Sequence, residues 1–317
     1  MFHKESIAFE GAVAIYQYKD YLILQGRDFW IRKLDGSTVV RYHNMHNVFK
    51  IKFLPQEQLL ICGGTNTAYR LLSLKTGKEI WSIPTIKKSY VSGLHFAISH
   101  DGKYAYDSYN FKDEYHLVRI GLLSGDICSC KLGPGYRALR DIVCDDTCDT
   151  LYLLRTQIDN IEGHNVGFNE IQSLDFDAPR CCETICNWKS DGTQNSVAAF
   201  FLGDYKHVMS RDLSIFESRT GKVYSLVANE PNGINPGRRP IDCWFDASKQ
   251  YLHLKYDNGN IIIDCKNRKM AARYAASFAR GCLIDDAYWI ALGDKVTKKP
   301  FPLIEDIPGC KLSTWHV

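Results

Sequence analysis

The residues of this chain best suited to chemistry are its cysteines and histidines. Twelve cysteines occur in 317 residues, and three groups are closely spaced: Cys128-x-Cys130, Cys144-x3-Cys148 and Cys181-Cys182-x3-Cys186. Soft thiolates from neighbouring segments could hold zinc or an iron–sulfur cluster. None of the groups, however, has the Cys-x2-Cys spacing that sets two thiolates on one tight knuckle. Cys128 and Cys130 stand two apart, so on a strand they point the same way, and they are expected to be buried apolar thiols facing an adjacent sheet. His43-x2-His46 could bring two imidazoles to one ion, but no third ligand follows nearby, and solvated loop histidines are expected. Neither a metal nor a cofactor is expected.

The carboxylates point the same way. Paired acids at Asp113-Glu114, Asp145-Asp146 and Asp285-Asp286 fall in turn-like stretches, where Asp steadies a chain reversal by local hydrogen bonding. A glycosidase needs two carboxylates facing one another across a cleft, which adjacent turn residues cannot supply alone. There is no Gly-rich Lys-Ser/Thr loop to cradle phosphate, and no Ser/His/Asp or Cys/His order is legible without geometry.

Composition narrows the classes further. The chain is 45% hydrophobic and 24% charged, with a formal net charge of +3, too small an excess to attract nucleic acid. No run reaches membrane-spanning length, and the N-terminal stretch has no uninterrupted apolar core after a basic start. A cytoplasmic protein with reduced thiols is therefore expected, with neither nucleic acid nor membrane as partner.

These residues must be positioned by a repeating unit. Val48 to Pro84 is its clearest copy: four short apolar runs, Phe49 to Leu54, Leu59 to Cys62, Tyr69 to Leu74 and Glu79 to Ile83, separated by turn residues. Four strands in so short a span predict one antiparallel sheet whose faces are buried by similar sheets on either side. Copies begin near Ala12, Gly93, Leu139, Val197, Ile241 and Arg280. The second-strand positions Tyr21, Leu59, Tyr104, Leu151, His207, Tyr251 and Tyr288 recur at about 37 to 56 residues, around the propeller period of ~40–45. The fourth copy carries the largest insertion, read as a long loop from Asp159 to Gly167, and a longer loop is also expected through Asp113-Glu114. The seventh copy lacks a strand, which Ser6 to Glu10 can supply, closing the sheet and removing its free edge. The expectation is an all-β, seven-bladed propeller occupying residues 1–317 as one domain.

The phrases Leu74 to Trp81 (LKTGKEIW), Glu217 to Tyr224 (ESRTGKVY), Gly121 to Cys128 (GLLSGDIC) and Lys33 to Val40 (KLDGSTVV) resemble the third turn of WD-repeat-like and quinoprotein-like propellers. Ile98 to Tyr106 (ISHDGKYAY) resembles their first turn. The resemblance implies a fold and not a chemistry. The Trp-Asp dipeptide of true WD repeats is absent. Only Trp81 occupies the tryptophan position of quinoprotein blades, so bound pyrroloquinoline quinone is not implied.

What remains is surface. In a propeller the connectors between blades and the loops between second and third strands emerge at one end. Here they carry Tyr90, Tyr109, Phe111, Tyr136, Trp188, Arg238 and Arg239, residue types enriched at interface hot spots. The sequence reading is a non-catalytic module that binds a protein or peptide partner through this end. The alternative is a cytosolic lactonase- or hydrolase-type propeller acting on a small polar substrate in its channel.

Overall fold

The computed structural model describes residues 6–8, 14–84, 90–111, 114–132, 138–178, 182–190, 198–210, 213–229, 240, 242–246, 250–256, 259–275, 281–284, 287–292 and 295–303. Seven antiparallel sheets of four strands account for most of them, and the fold is a seven-bladed β-propeller. A three-residue strand, β1 (Ser6–Ala8), comes first. Blade 1 is β2 (Ala14–Tyr18), β3 (Tyr21–Gln25), β4 (Phe29–Lys33) and β5 (Thr38–Tyr42). Blade 2 is β6 (Val48–Leu54), β7 (Gln58–Gly63), β8 (Thr67–Ser73) and β9 (Glu79–Pro84), with a short 3-10 turn at Pro55–Glu57. Blade 3 is β10 (Tyr90–Ile98), β11 (Tyr104–Phe111), β12 (Glu114–Gly121) and β13 (Ile127–Leu132). Blade 4 is β14 (Ala138–Cys144), β15 (Leu151–Ile161), β16 (His164–Leu174) and β17 (Glu183–Ser190). Blade 5 is β18 (Ala198–Phe201), β19 (His207–Ser210), β20 (Ser214–Glu217) and β21 (Val223–Ser225). Blade 6 is β22 (Asp242–Phe245), β23 (Tyr251–Tyr256), β24 (Gly259–Asp264) and β25 (Lys269–Ala275). Blade 7 is β26 (Gly281–Ile284), β27 (Ala287–Leu292) and β28 (Lys295–Pro300). It is completed by β1, which pairs antiparallel to β28 with Ile7 opposite Val296. All seven second-strand positions named from the sequence lie at or one residue after the start of a second strand.

The turns explain why the sequence breaks where it does. In blades 2, 3 and 5 the third turn has one construction. Gly77, Gly125 and Gly221 adopt φ of 67°, 76° and 68°, a left-handed conformation that glycine tolerates without strain. Their N–H groups donate to the carbonyls of Ser73, Gly121 and Glu217 at 2.8, 2.8 and 2.9 Å. The preceding hydroxyls of Thr76, Ser124 and Thr220 each accept from the amide two residues on at 3.3 Å. The next residue ties this turn to the first turn of its own blade: the N–H groups of Leu74, Leu122 and Ser218 donate to the carbonyls of Glu57, Lys103 and Lys206, each at 2.8 Å. The shared TGK and SGD phrases therefore encode a backbone junction.

Strand burial follows position within each blade. Second and third strands such as β7 and β24 are buried along most of their length and read as near-continuous apolar runs, because both faces are covered. Fourth strands such as β13, β17 and β21 are largely exposed and more polar. The chain divides into two compact units, residues 1–49, 53–82 and 226–317 in one and 50–52 and 83–225 in the other. In the first, Ile15, Leu22 and Leu24 of blade 1 pack on Cys282, Ile284, Ala287 and Trp289 of blade 7. Within the second, Leu139, Ile142 and Leu151 of blade 4 pack on Tyr106, Leu117 and Leu132 of blade 3, while its opposite face, through Tyr152 and Leu154, meets Phe201, Val208 and Phe216 of blade 5.

Three local expectations are corrected. The stretch from Asp159 to Gly167 is not a long loop: β15 and β16 stay paired from Leu151 opposite Leu174 out to Ile161 opposite His164. Their two-residue turn, Glu162-Gly163, has φ of 53° and 83°, the positive pair that matches the twist of a hairpin. Blade 3 likewise stays paired out to Phe111 opposite Glu114, so pairing replaces the expected longer loop. Cys128 is exposed on the outer strand β13, whereas Cys130 is half-buried against the apolar cluster shared by blades 3 and 4.

Candidate interaction surface

In each four-stranded antiparallel sheet, the turn between second and third strands lies at the same end as the chain entering its first strand and leaving its fourth. The best-defined part of this end in the first unit is the link from β5 to β6. Asp28, almost fully buried, organises it. Its carboxylate accepts from the Asn44 N–H at 2.8 Å and the Arg41 Nε at 2.5 Å, with His43 Nδ1 at 3.4 Å. Burial alone would raise its pKa, but the Asn44 amide, Arg41 and His43 outweigh that and hold it below the ordinary carboxylate value. His46 instead turns its Nδ1 to the Asn44 carbonyl at 2.9 Å, so the two histidines have separate partners. The facing turn of blade 2 is joined to this link by the Gly64 N–H, which donates to the Asn47 carbonyl at 3.0 Å. Asn44, Asn47, Gly63, Gly64 and Asn66 all have positive φ, so the paired loops rest on residues that accept that conformation.

In the second unit, this end is built from the tall hairpins of blades 3 and 4. Tyr109 lies on β11, half-buried, its ring stacked on His116 at 4.8 Å with an interplanar angle of 2°. Trp188 lies on β17 opposite Asn169 and stacks on Phe216 of blade 5 at 4.0 Å and 13°. One face of each aromatic is thus committed to packing. Tyr90 and Phe111 stand on β10 and β11, at Asn110 and Glu114 in the register. Tyr136, Arg238 and Arg239 lie outside the described residues, as does most of the Ala228 to Pro240 connector. The hairpin tip of blade 4 was missed by sequence reasoning. Beyond Thr156 on β15 and before Gly167 on β16, these two strands pair only with each other among the described residues. Ile158 and Ile161 there are 40% and 46% exposed. Its signal was the Glu162-Gly163 pair between DNI and HNV.

The other chemistry-bearing groups are used locally. Asp145 accepts from the N–H and hydroxyl of Thr147 at 2.8 and 2.6 Å, which holds its pKa low, and so serves a turn. Glu114 pairs with Lys131. Burial pushes the thiols of Cys144, Cys186 and Cys265 up to about 11. Among the described residues no three His, Cys, Asp or Glu side chains are grouped to hold a metal ion, and no helix is long and apolar enough to cross a membrane.

The strand order defines a seven-bladed β-propeller, and likeness to a solved propeller agrees at the level of fold. The β-propeller domain of Myceliophteria thermophila Cps50 (Swd1) aligns over 93% of this chain and 98% of that one, with a TM-score of 0.60 and 12% sequence identity. The Dos1 propeller aligns over 90% of this chain and 78% of that one, with a TM-score of 0.49 and 14% identity. No protein-family model and no curated protein sequence matches the chain.

Proposed function

We propose that this chain is a non-catalytic interaction module that binds a protein or peptide partner through the end of its blades carrying the inter-blade connectors. The supporting observation is the blade 4 hairpin. At eleven residues per strand against four in β19 of blade 5, it is about 20 Å longer and ends in two exposed isoleucines. Apolar side chains on a rigid ribbon suit recognition better than the same residues on a loop, because little conformational entropy is lost on binding. Tyr90, Tyr109, Phe111, Tyr136, Trp188, Arg238 and Arg239 belong to the same proposed surface. That residues 1–317 act as one domain, in the cytoplasm and without nucleic acid, is part of this reading.

Affinity capture from the native cell tests it. Wild-type protein is expected to retain a partner that Ile158→Asp, Trp188→Ala and Arg238→Ala release, each costing about 1–3 kcal/mol of binding if the position is a hot spot. Retention of every captured partner by all three variants would show that this end is not the binding surface.

A further inference from the structure

The blade 4 hairpin carries backbone groups aimed out of its edge. Ile161 and His164 flank its two-residue turn, so they form the closing hydrogen-bonded pair, with N–H and C=O groups turned toward each other. Opposite residues in an antiparallel ladder alternate between pairs that exchange hydrogen bonds and pairs that do not. Asp159 and Val166 therefore also face inward, whereas the N–H and C=O groups of Ile158 and Asn160 point outward from β15. Strand β14 covers β15 only as far as Thr156, which stands opposite Ala138, and no described residue pairs with the outer edge beyond it. On the other side, β17 covers β16 up to Gly167, opposite Ser190, and leaves only Asn165 to point outward. The β15 edge is the longer of the two. Side chains hold it in shape: Asn160 accepts from the Gly163 N–H at 3.1 Å and donates to Asn165 at 3.3 Å.

The side chains along this edge are equally specific. Ile158 is exposed and stands opposite Gly167, which has no side chain to pack on it. Asp159 projects from the other face of the strand and accepts a hydrogen bond from the neutral Gln157 amide, which leaves its charge without a counter-ion among the described residues. From Thr156 to Gly167 the chain carries two carboxylates, Asp159 and Glu162, one His and no Lys or Arg. Resting on the reading of this end as a partner-binding surface, we propose that the outer edge of β15, from Gln157 to Ile161, takes an extended segment of a partner protein as an added antiparallel strand. The segment sets a β-branched residue opposite Ile158 and Lys or Arg opposite Asp159. The outward N–H and C=O groups of Ile158 and Asn160 bond to its backbone, and the two side-chain pairings fix its register. A second copy of this chain fits poorly. The antiparallel register that uses both Ile158 and Asn160 puts Asp159 directly opposite its own counterpart, and like charges so placed repel.

The probe is a fluorescently labelled peptide alternating valine and lysine, compared with one in which glutamate replaces lysine. Each is titrated with the full chain and read by fluorescence anisotropy. The lysine peptide is expected to bind about tenfold more tightly than the glutamate peptide. Asp159→Lys, which leaves the backbone edge in place, should reverse that preference. Asn160→Pro removes one outward N–H and should weaken the lysine peptide about fivefold, whereas Asn160→Ala, which keeps that N–H, should stay within about twofold of wild type. Equal binding of the two peptides, or no saturable binding of either, would overturn the proposal, as would equal binding of the lysine peptide by Asn160→Pro and Asn160→Ala. The wider reading survives any of these results if Ile158→Asp still releases the partner captured from the native cell. It falls only when capture persists in Ile158→Asp, Trp188→Ala and Arg238→Ala alike.

Discussion

Lys50 and Asp107, 57 residues apart in sequence, form a buried ion pair. Their side chains are 5% and 1% exposed, and the Lys50 ammonium donates to the Asp107 carboxylate, which also accepts from the Ser108 N–H at 2.7 Å. The ammonium sits 5.2 Å from the centre of the Phe96 ring. Both charges are removed from water, so each depends on the other.

Asp107→Ala should therefore cost about 3–5 kcal/mol in reversible denaturant unfolding, because it removes a carboxylate paired with the buried Lys50 ammonium. The double variant Lys50→Met/Asp107→Leu should recover much of that loss. Equal losses in the single and double variants would mean that packing rather than charge sets the cost.

The repeated third turn provides an internal control for glycine. Gly77 and Gly221 have nearly the same φ, 67° and 68°, but an added Cβ at Gly77 would lie 2.6 Å from Cβ of Val40, whereas none of the described atoms lies within 4 Å at Gly221. Gly221→Ala should cost about 1–2 kcal/mol, the penalty of left-handed backbone alone. Gly77→Ala should cost roughly a further 1–3 kcal/mol for overpacking against blade 1. Chemical denaturation of the two variants separates conformational strain from crowding.

Asp28 should make the chain acid-sensitive. Its folded pKa lies below its unfolded one, so its stabilisation is complete above the ordinary carboxylate value and is lost as pH falls through the lowered value. In urea titrations at a series of pH values, Asp28→Asn should be less stable than wild type near neutrality, and the gap should narrow in acid. A gap independent of pH would show that the Asp28 charge is not what matters.

Thiol reactivity should divide by burial. With pKa values pushed up to about 11 by desolvation, Cys144, Cys186 and Cys265 should react with iodoacetamide at pH 8 about a hundredfold more slowly than in the urea-unfolded chain, since two units lower the thiolate fraction by that factor. Mass spectrometry of labelled peptides reads this directly. Rapid labelling of all three in the folded chain would contradict their partial removal from water.

The blade count, the second-strand positions and the closing role of Ser6–Ala8 were legible because each rests on local chemistry: glycine at positive φ, Asp in tight turns, and apolar runs between them. TGK and SGD encode the same turn in blades 2, 3 and 5, since the hydrogen bonds within the turn itself join residues at most five positions apart. The blade 4 hairpin was misread because Glu162 is an ordinary residue in an unusual conformation, imposed by eleven paired residues on either side.

The candidate surface depended on contacts that local pattern does not record. Trp188 looked free to meet a partner, yet it stacks on Phe216 because blade 5 packs there. Cys128 looked buried, yet it is exposed on the largely exposed outer strand β13. The sequence by itself determined that this is a repeating β architecture and where each repeat turns, because those choices are made over a few residues. Only the tertiary structure decided which Asp meets Lys50 and which aromatics keep a free face, because these follow from packing between blades whose residues are tens of positions apart.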